Sequence, residues 1–402
     1  MHLARHRAKA LIVLLFSLPL LASLLMRPQG SAENRDLASF PATPHSWAET
    51  KQYPARIDAW ISDHLGWRNQ LIGMNNYVRF HLFHQFPTRQ LLLGRHGRLL
   101  LSACNTVDPE YSGVLAVCGY GRSDADHAAL VAQINLFDAT LRAQGLDARL
   151  MIAPTPPLVY REELPGWLQR RCASAQIPVQ RALADPQLRG REHIFYPLPD
   201  FLAARQSMAI FPPSWFHWSG DGARLAAELS AQRYWDVQPQ QAPELHTTIR
   251  QLPSDMGNLM PGVTLDSSVK QVDFAGSGVQ ECQGASCYPE LPDVMAKLWG
   301  ANRYRHDGAP LPRLVVVSDS YGLELAPWYT RYFRDVVQVA TNELAQLTPD
   351  QRRRLAQFLF RQPGPQKLIF VYHDATVQGG GRLATDLAML FTAADAAQAA
   401  AR

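Results

Sequence analysis

The stretch Arg313-Leu-Val-Val-Val-Ser-Asp-Ser-Tyr-Gly322 constrains the fold more than any other segment. A short, β-branched apolar run without polar alternation belongs to a strand buried on both faces, as in a parallel sheet, and the small polar residues behind it form a tight strand-to-helix turn. The flanking sequence repeats that logic. Ser123 and Gly145 bound a helix over 123–144, followed by a strand over 148–153. A helix over 173–184 and a strand over 193–198 come next, and residues 335–339 and 367–372 read as further strands. Thr348-Pro-Asp-Gln351 is a capping box opening the helix between them. Such alternation implies an α/β architecture with a mainly parallel sheet.

Two readings stand for Ser320, which falls on the turn. A Ser-Asp-Ser turn caps the next helix. Equally, a serine lifted to the carboxyl edge of the sheet sits where open α/β sheets place ligands, beside helix N–H groups able to stabilise an oxyanion. A nucleophilic serine needs a base. His217, held between aromatics in Pro213-Ser-Trp-Phe-His-Trp-Ser-Gly-Asp-Gly222 before a second helix start, is the candidate; the alternative is a structural histidine in an aromatic cluster. The pair His373-Asp374, at the end of the last strand, is expected to be a hydrogen-bonded structural pair, and Thr155 and Tyr160 follow the 148–153 strand in a proline-rich loop.

These two motifs together resemble the periplasmic SGNH-like O-acetyltransferases of alginate and related exopolysaccharide systems. Ser318-Asp319-Ser320 resembles that family's Gly-Asp-Ser block, and Trp215-Phe-His-Trp218 with Gly222-Ala223 resembles its Asp-x-His-Trp motif and helix start. Asp63-His-Leu-Gly-Trp-Arg68 and the segment from Leu91 to Leu100 resemble N-terminal family patterns outside the active site, where His64 and Arg68 are structural. The resemblance implies a three-layer SGNH-hydrolase-like fold with circularly permuted motif order, histidine before serine. It implies Ser320 as nucleophile and His217 as general base, with no cofactor and no metal. One departure is severe: Trp215 stands where the family has its triad Asp, a role whose loss in a serine protease costs on the order of 10⁴ in turnover. Asp200 and Asp221 are weak candidates to replace it. Asp200 is expected to end a strand and Asp221 to cap the following helix.

The basic start, residues 1–9, and the apolar run 10–26 mark either a cleaved signal peptide or, as favoured here, an uncleaved anchor within residues 1–32. Residues 33–402 then form one exported SGNH-like domain, with a family-specific segment over 33–101 and a long irregular insertion over 236–312. Export suits the 5 cysteines, four of which fall in close pairs, giving expected bridges Cys104–Cys118 and Cys282–Cys287. With 39 basic against 35 acidic residues, part of the excess lying in the leader, nothing points to nucleic acid.

The expectation is therefore a periplasmic O-acetyltransferase tethered to the inner membrane and acting on an exported polysaccharide. By the resemblance, the acetyl donor is a membrane-bound O-acyltransferase and the setting includes other exopolysaccharide secretion proteins. Two rivals are carried: a catalytically impaired member that binds polysaccharide or scaffolds the secretion complex, for which the Trp215 indole would offer a sugar-stacking face, and a stand-alone periplasmic acetylesterase.

Overall fold

The structure, a computed structural model, describes residues 37–379 and 381–391 together with 9, 13, 14, 17 and 18. The expected leader, residues 1–32, lies almost wholly outside them; among the described residues no helix is long and apolar enough to cross a membrane. The described residues form two compact units. One comprises residues up to Leu91 with Pro253–Leu265, the other Leu92–Leu252 with Asp266 onward.

In the first unit, helices Trp47–His64 and Arg68–Phe83 are joined by a sharp turn. Asp63 accepts from Ala38 N–H at 2.8 Å, and His64 bonds the Trp60 carbonyl at 2.9 Å while stacking on its ring. Asn76 donates to the Pro261 carbonyl at 2.9 Å, tying the 253–265 segment to the second helix.

The second unit carries the sheet. Its strands are β1 (Ala148–Ala153), β2 (Ile194–Phe195), β5 (Gln280–Gln283), β6 (Ala301–Arg305), β7 (Leu311–Ser318), β8 (Phe333–Ala340) and β9 (Lys367–His373), while β3 (His246–Pro253) and β4 (Asp266–Asp273) form a separate ribbon. The seven-stranded order is β2-β1-β9-β7-β8-β6-β5. Pairing is parallel from β2 to β8, and β6 and β5 add antiparallel at one edge. The mainly parallel expectation describes the first five strands. The 236–312 stretch supplies the two antiparallel strands and the ribbon, so it contains β-structure; β5 and β6 are short and β3 is mostly exposed, which leaves little periodic signal in the sequence.

Central β7 is buried on both sides, with Leu314 to Val317 at most 1% exposed, which explains its unbroken apolar run. Each such side chain contributes about 1.5–3 kcal/mol on burial. The two faces can be assigned from register. Phe370 of β9 pairs with Val317, so both point the same way, and Phe370 meets Phe137 of α1 (Asp124–Ala143) and Phe360 of α4 (Pro349–Phe360). Val316 points to the opposite face, where α3 (Tyr321–Tyr329) lies against it and packs with α2 (Asp221–Trp235). The result is a helix-sheet-helix sandwich. Capping boxes at Ser123 and Thr348 open α1 and α4 as the sequence predicts. The expected helix over 173–184 is instead two, Gly166–Ala173 and Pro178–Ala184, because Pro178 removes an amide donor and biases Ile177 out of the helical region.

The cysteines correct one expectation. Cys282–Cys287 forms as expected, but Cys118 bridges Cys172, and Cys104 takes part in neither bond. Cys118 ends the helix Ser112–Cys118 with its side chain buried, facing the buried Cys172 near the end of the helix Gly166–Ala173, Cα atoms 5.2 Å apart. Cys104 lies on an exposed turn. Nearness in sequence misleads here because both helices turn their cysteines inward.

Candidate active site

Ser320 lies two residues past the end of β7 and immediately precedes α3, with helical φ −58° and ψ −23°. The turn is tight enough to demand Gly322: a Cβ there would run into Ser318 Cβ and Oγ. Asp319 fixes the turn from below. Its Oδ1 accepts from Tyr321 N–H at 3.0 Å and its Oδ2 from His373 N–H at 2.8 Å, joining the serine turn to the carboxyl end of β9. Sequence reading named Asp319 only as part of a motif; its capping role is the local logic of an Asx turn.

The histidine loop is fastened to this turn by two bonds. Trp218 Nε1–H donates to the Tyr321 carbonyl at 2.9 Å, and Tyr321 O–H donates to the Phe216 carbonyl at 2.7 Å. Between these anchors His217 Nε2 lies 2.7 Å from Ser320 Oγ. The imidazole, half-buried, sits 5.0 Å from the Tyr321 ring and 5.2 Å from the Phe216 ring. Their π-faces and edges restrict it to one orientation and favour a positive charge over the Tyr321 ring. Behind the loop, Gly222 lets α2 start against the Ile210 carbonyl, which a Cβ would strike. Tyr321 was missed by sequence reading; its position directly after the serine was the available signal.

The oxyanion expectation changes in detail. The first helix N–H groups are taken: Tyr321 N–H by Asp319 Oδ1, Gly322 N–H by the Asp319 carbonyl, Leu323 N–H by the Ser320 carbonyl. Among the described residues no hydrogen bond takes up the N–H of Ser320 itself.

Neither weak carboxylate candidate reaches His217. Asp221 is the first residue of α2, after Gly220, and both its oxygens hold Lys270 Nζ, at 2.8 and 2.7 Å. Asp200 lies in the first turn of helix Leu198–Ala204, not at a strand end, since the strand stops at Phe195 before Pro197 and Pro199. Trp215 is buried, 8% exposed, and its indole N–H has no partner among the described residues. It therefore presents no open face for a sugar, which removes the support that the binding-only reading drew from it.

His373 and Asp374 do not pair with each other. His373 Nδ1 accepts from Thr376 N–H at 3.2 Å and Nε2 donates to Thr376 Oγ at 2.8 Å, while burial lowers its pKa. Asp374 is fully buried the other way, accepting from Thr155 N–H, Thr155 O–H and Tyr196 O–H; burial pushes its carboxyl up to about 7 against those bonds. Thr155 thus anchors β1's exit, and Tyr160 accepts from Ile210 N–H with Arg98 stacked 3.6 Å above its ring. Among the described residues no group of three or more His, Cys, Asp or Glu gathers as a metal site.

No protein-family model and no curated protein matches the chain. Solved structures similar to it include Bacillus cereus PatB1, at 11% identity over 73% of this chain and 98% of that one, TM-score 0.45. A DHHW family protein from Eubacterium siraeum has 12% identity over 75% and 95%, TM-score 0.48. The O-acetyltransferase domain of Pseudomonas putida AlgJ has 15% identity over 78% and 99%, TM-score 0.43.

Proposed function

We propose that the chain is a serine acyltransferase that moves an acetyl group onto hydroxyls of an exported polysaccharide. The observation carrying this reading is the 2.7 Å bond between His217 Nε2 and Ser320 Oγ, on a serine raised at the carboxyl edge of the sheet. His217 takes the hydroxyl proton as Ser320 Oγ forms a bond to the acyl carbon. Collapse of the tetrahedral intermediate breaks the donor's C–O bond, and His217 protonates the leaving oxygen. A sugar hydroxyl, deprotonated in turn by His217, then attacks the acyl-serine, and Ser320 recovers its proton. The Ser320 N–H is the donor placed to meet the oxyanion, and the aromatic frame around His217 supports its imidazolium.

Acetyl as the transferred group, the permuted SGNH arrangement, and a membrane-bound O-acyltransferase as donor follow the motif resemblance. Export to the periplasm is supported by two disulfides, which persist in an oxidising compartment. Tethering through the N-terminal apolar segment would keep the site beside the donor and the secretion machinery. No cofactor is required by this chemistry.

The test is turnover of a chromogenic acetyl ester by the full chain, with intact-mass detection of an acetyl adduct. Ser320→Ala and His217→Ala are each expected to lower turnover by on the order of 10³-fold or more, and the adduct to map to Ser320. Unchanged turnover in either variant, or an adduct on another residue, refutes the mechanism.

A further inference from the structure

A groove of about 640 Å³ in the sheet-bearing unit is lined by residues that follow each of the two motifs closely in sequence. Leu323 and Glu324, one turn beyond Ser320, form part of its wall, as do Ser219 and Gly220, just after His217. Ser219 O–H donates to Glu324 Oε2 at 3.1 Å, closing the wall between the two motifs. The opposite walls come from the β3-β4 ribbon and from edge strands β5 and β6, the elements that the 236–312 stretch adds to the parallel sheet.

The charge of the lining is specific. Its cations are Arg250 and Lys270, and its carboxylates are Asp273, Glu281 and Glu324. Lys270 is neutralised by both oxygens of Asp221, and Arg250 faces the carboxylates of both Asp273 and Glu281. The neutral polar groups are the amides of Gln271, Gln283 and Asn302, and the half-buried Phe274 ring supplies an apolar face against Tyr304. Gln283 Nε2 donates to Glu281 Oε1 at 2.9 Å and Asn302 Nδ2 to Gln338 Oε1 at 3.2 Å; an amide has a second N–H and a carbonyl oxygen to offer sugar hydroxyls, and an aromatic ring accommodates the C–H face of a pyranose.

We propose that this groove seats the acceptor and selects an uncharged polysaccharide over a polyuronate. The proposal rests on the acyl-transfer reading and narrows it. A uronate unit brings one carboxylate per sugar into a lining already negative, where like charges within a Debye length repel. A neutral polymer meets hydroxyl-matching amides at no such cost.

The experiment uses the folded full chain without acyl donor, titrated calorimetrically with a β-1,4-glucan hexasaccharide and an α-1,4-galacturonan hexasaccharide at low salt. Binding of the neutral oligomer about tenfold tighter than the uronate is expected, with Glu281→Gln closing that gap by about three- to fivefold, as one partly screened carboxylate contact would. The gap should also shrink in high salt. Equal or tighter uronate binding, an unchanged gap in Glu281→Gln, or no binding of either oligomer overturns the assignment. Chromogenic ester turnover by the parent chain and by Ser320→Ala, which needs no polymer, separates the two readings. Ser320-dependent turnover without the oligosaccharide preference sinks the groove alone; the preference without turnover sinks acyl transfer alone.

Discussion

Replacing Gly322 with alanine tests how the nucleophile turn is held. A Cβ at this position would overlap Ser318 Oγ and Cβ by roughly 1 Å or more relative to ordinary carbon contact. Ser318 cannot step aside: it is fully buried at the end of β7, and its carbonyl accepts from Thr341 N–H at 2.7 Å. The helix start must therefore move, carrying Ser320 away from His217. Overpacking of this kind costs about 1–3 kcal/mol of stability, and a displacement near 1 Å at a reacting atom costs on the order of 10²-fold in rate. Urea unfolding and chromogenic acetyl-ester turnover measure the two effects. The structure also specifies the rescue. Ser318→Gly removes both clashing atoms, and because Ser318 Oγ has no partner among the described residues, no hydrogen bond is lost with it. Gly322→Ala combined with Ser318→Gly should recover most of the turnover lost by Gly322→Ala. A Gly322→Ala variant as stable and active as the parent would refute this account, as would a double variant no better than the single.

Two further predictions follow from elements away from the serine. Cys118→Ser opens a loop whose ends are 54 residues apart, for a loss of roughly 4 kcal/mol by chain entropy, against roughly 2 kcal/mol for Cys282→Ser, whose partner is 5 residues away; unfolding midpoints in the opposite order would refute the bridge assignment. Asp374 keeps its proton in the folded chain up to a pH of about 7, whereas the unfolded chain releases it near the ordinary 3.8. Its contribution is thus fully present below that lower value and is lost as pH rises towards 7, by about 4 kcal/mol at most. Asp374→Asn should flatten stability across that window, and identical pH profiles for parent and variant would show that the carboxyl does not titrate this way.

Much of the sheet was legible because its central strands bury both faces and so carry unbroken apolar runs: residues 313–318, 335–339 and 367–372 all lie within observed strands. The strands after α2 and before β7 were not legible. β5 and β6 are short, and β3 is mostly exposed, so neither length nor alternation separates them from loop. Ser320 and His217 were both singled out because turn chemistry and aromatic flanks are local signals. The bond between them, Asp319's link to β9 and the clamp of Tyr321 and Trp218 span the fold and have no sequence period to announce them.

By itself the sequence determined the α/β alternation, the capped ends of α1 and α4, and the serine turn, since each depends on residues within a few positions of one another. Tertiary structure alone decided that Cys172, and not Cys104, meets Cys118. It also decided that Asp200 lies in a helix and Asp221 is held by Lys270, and that the unpatterned stretch after α2 walls a groove against α3. Those outcomes depend on which faces of distant elements are brought together, and burial of the apolar faces, not proximity along the chain, sets that pairing.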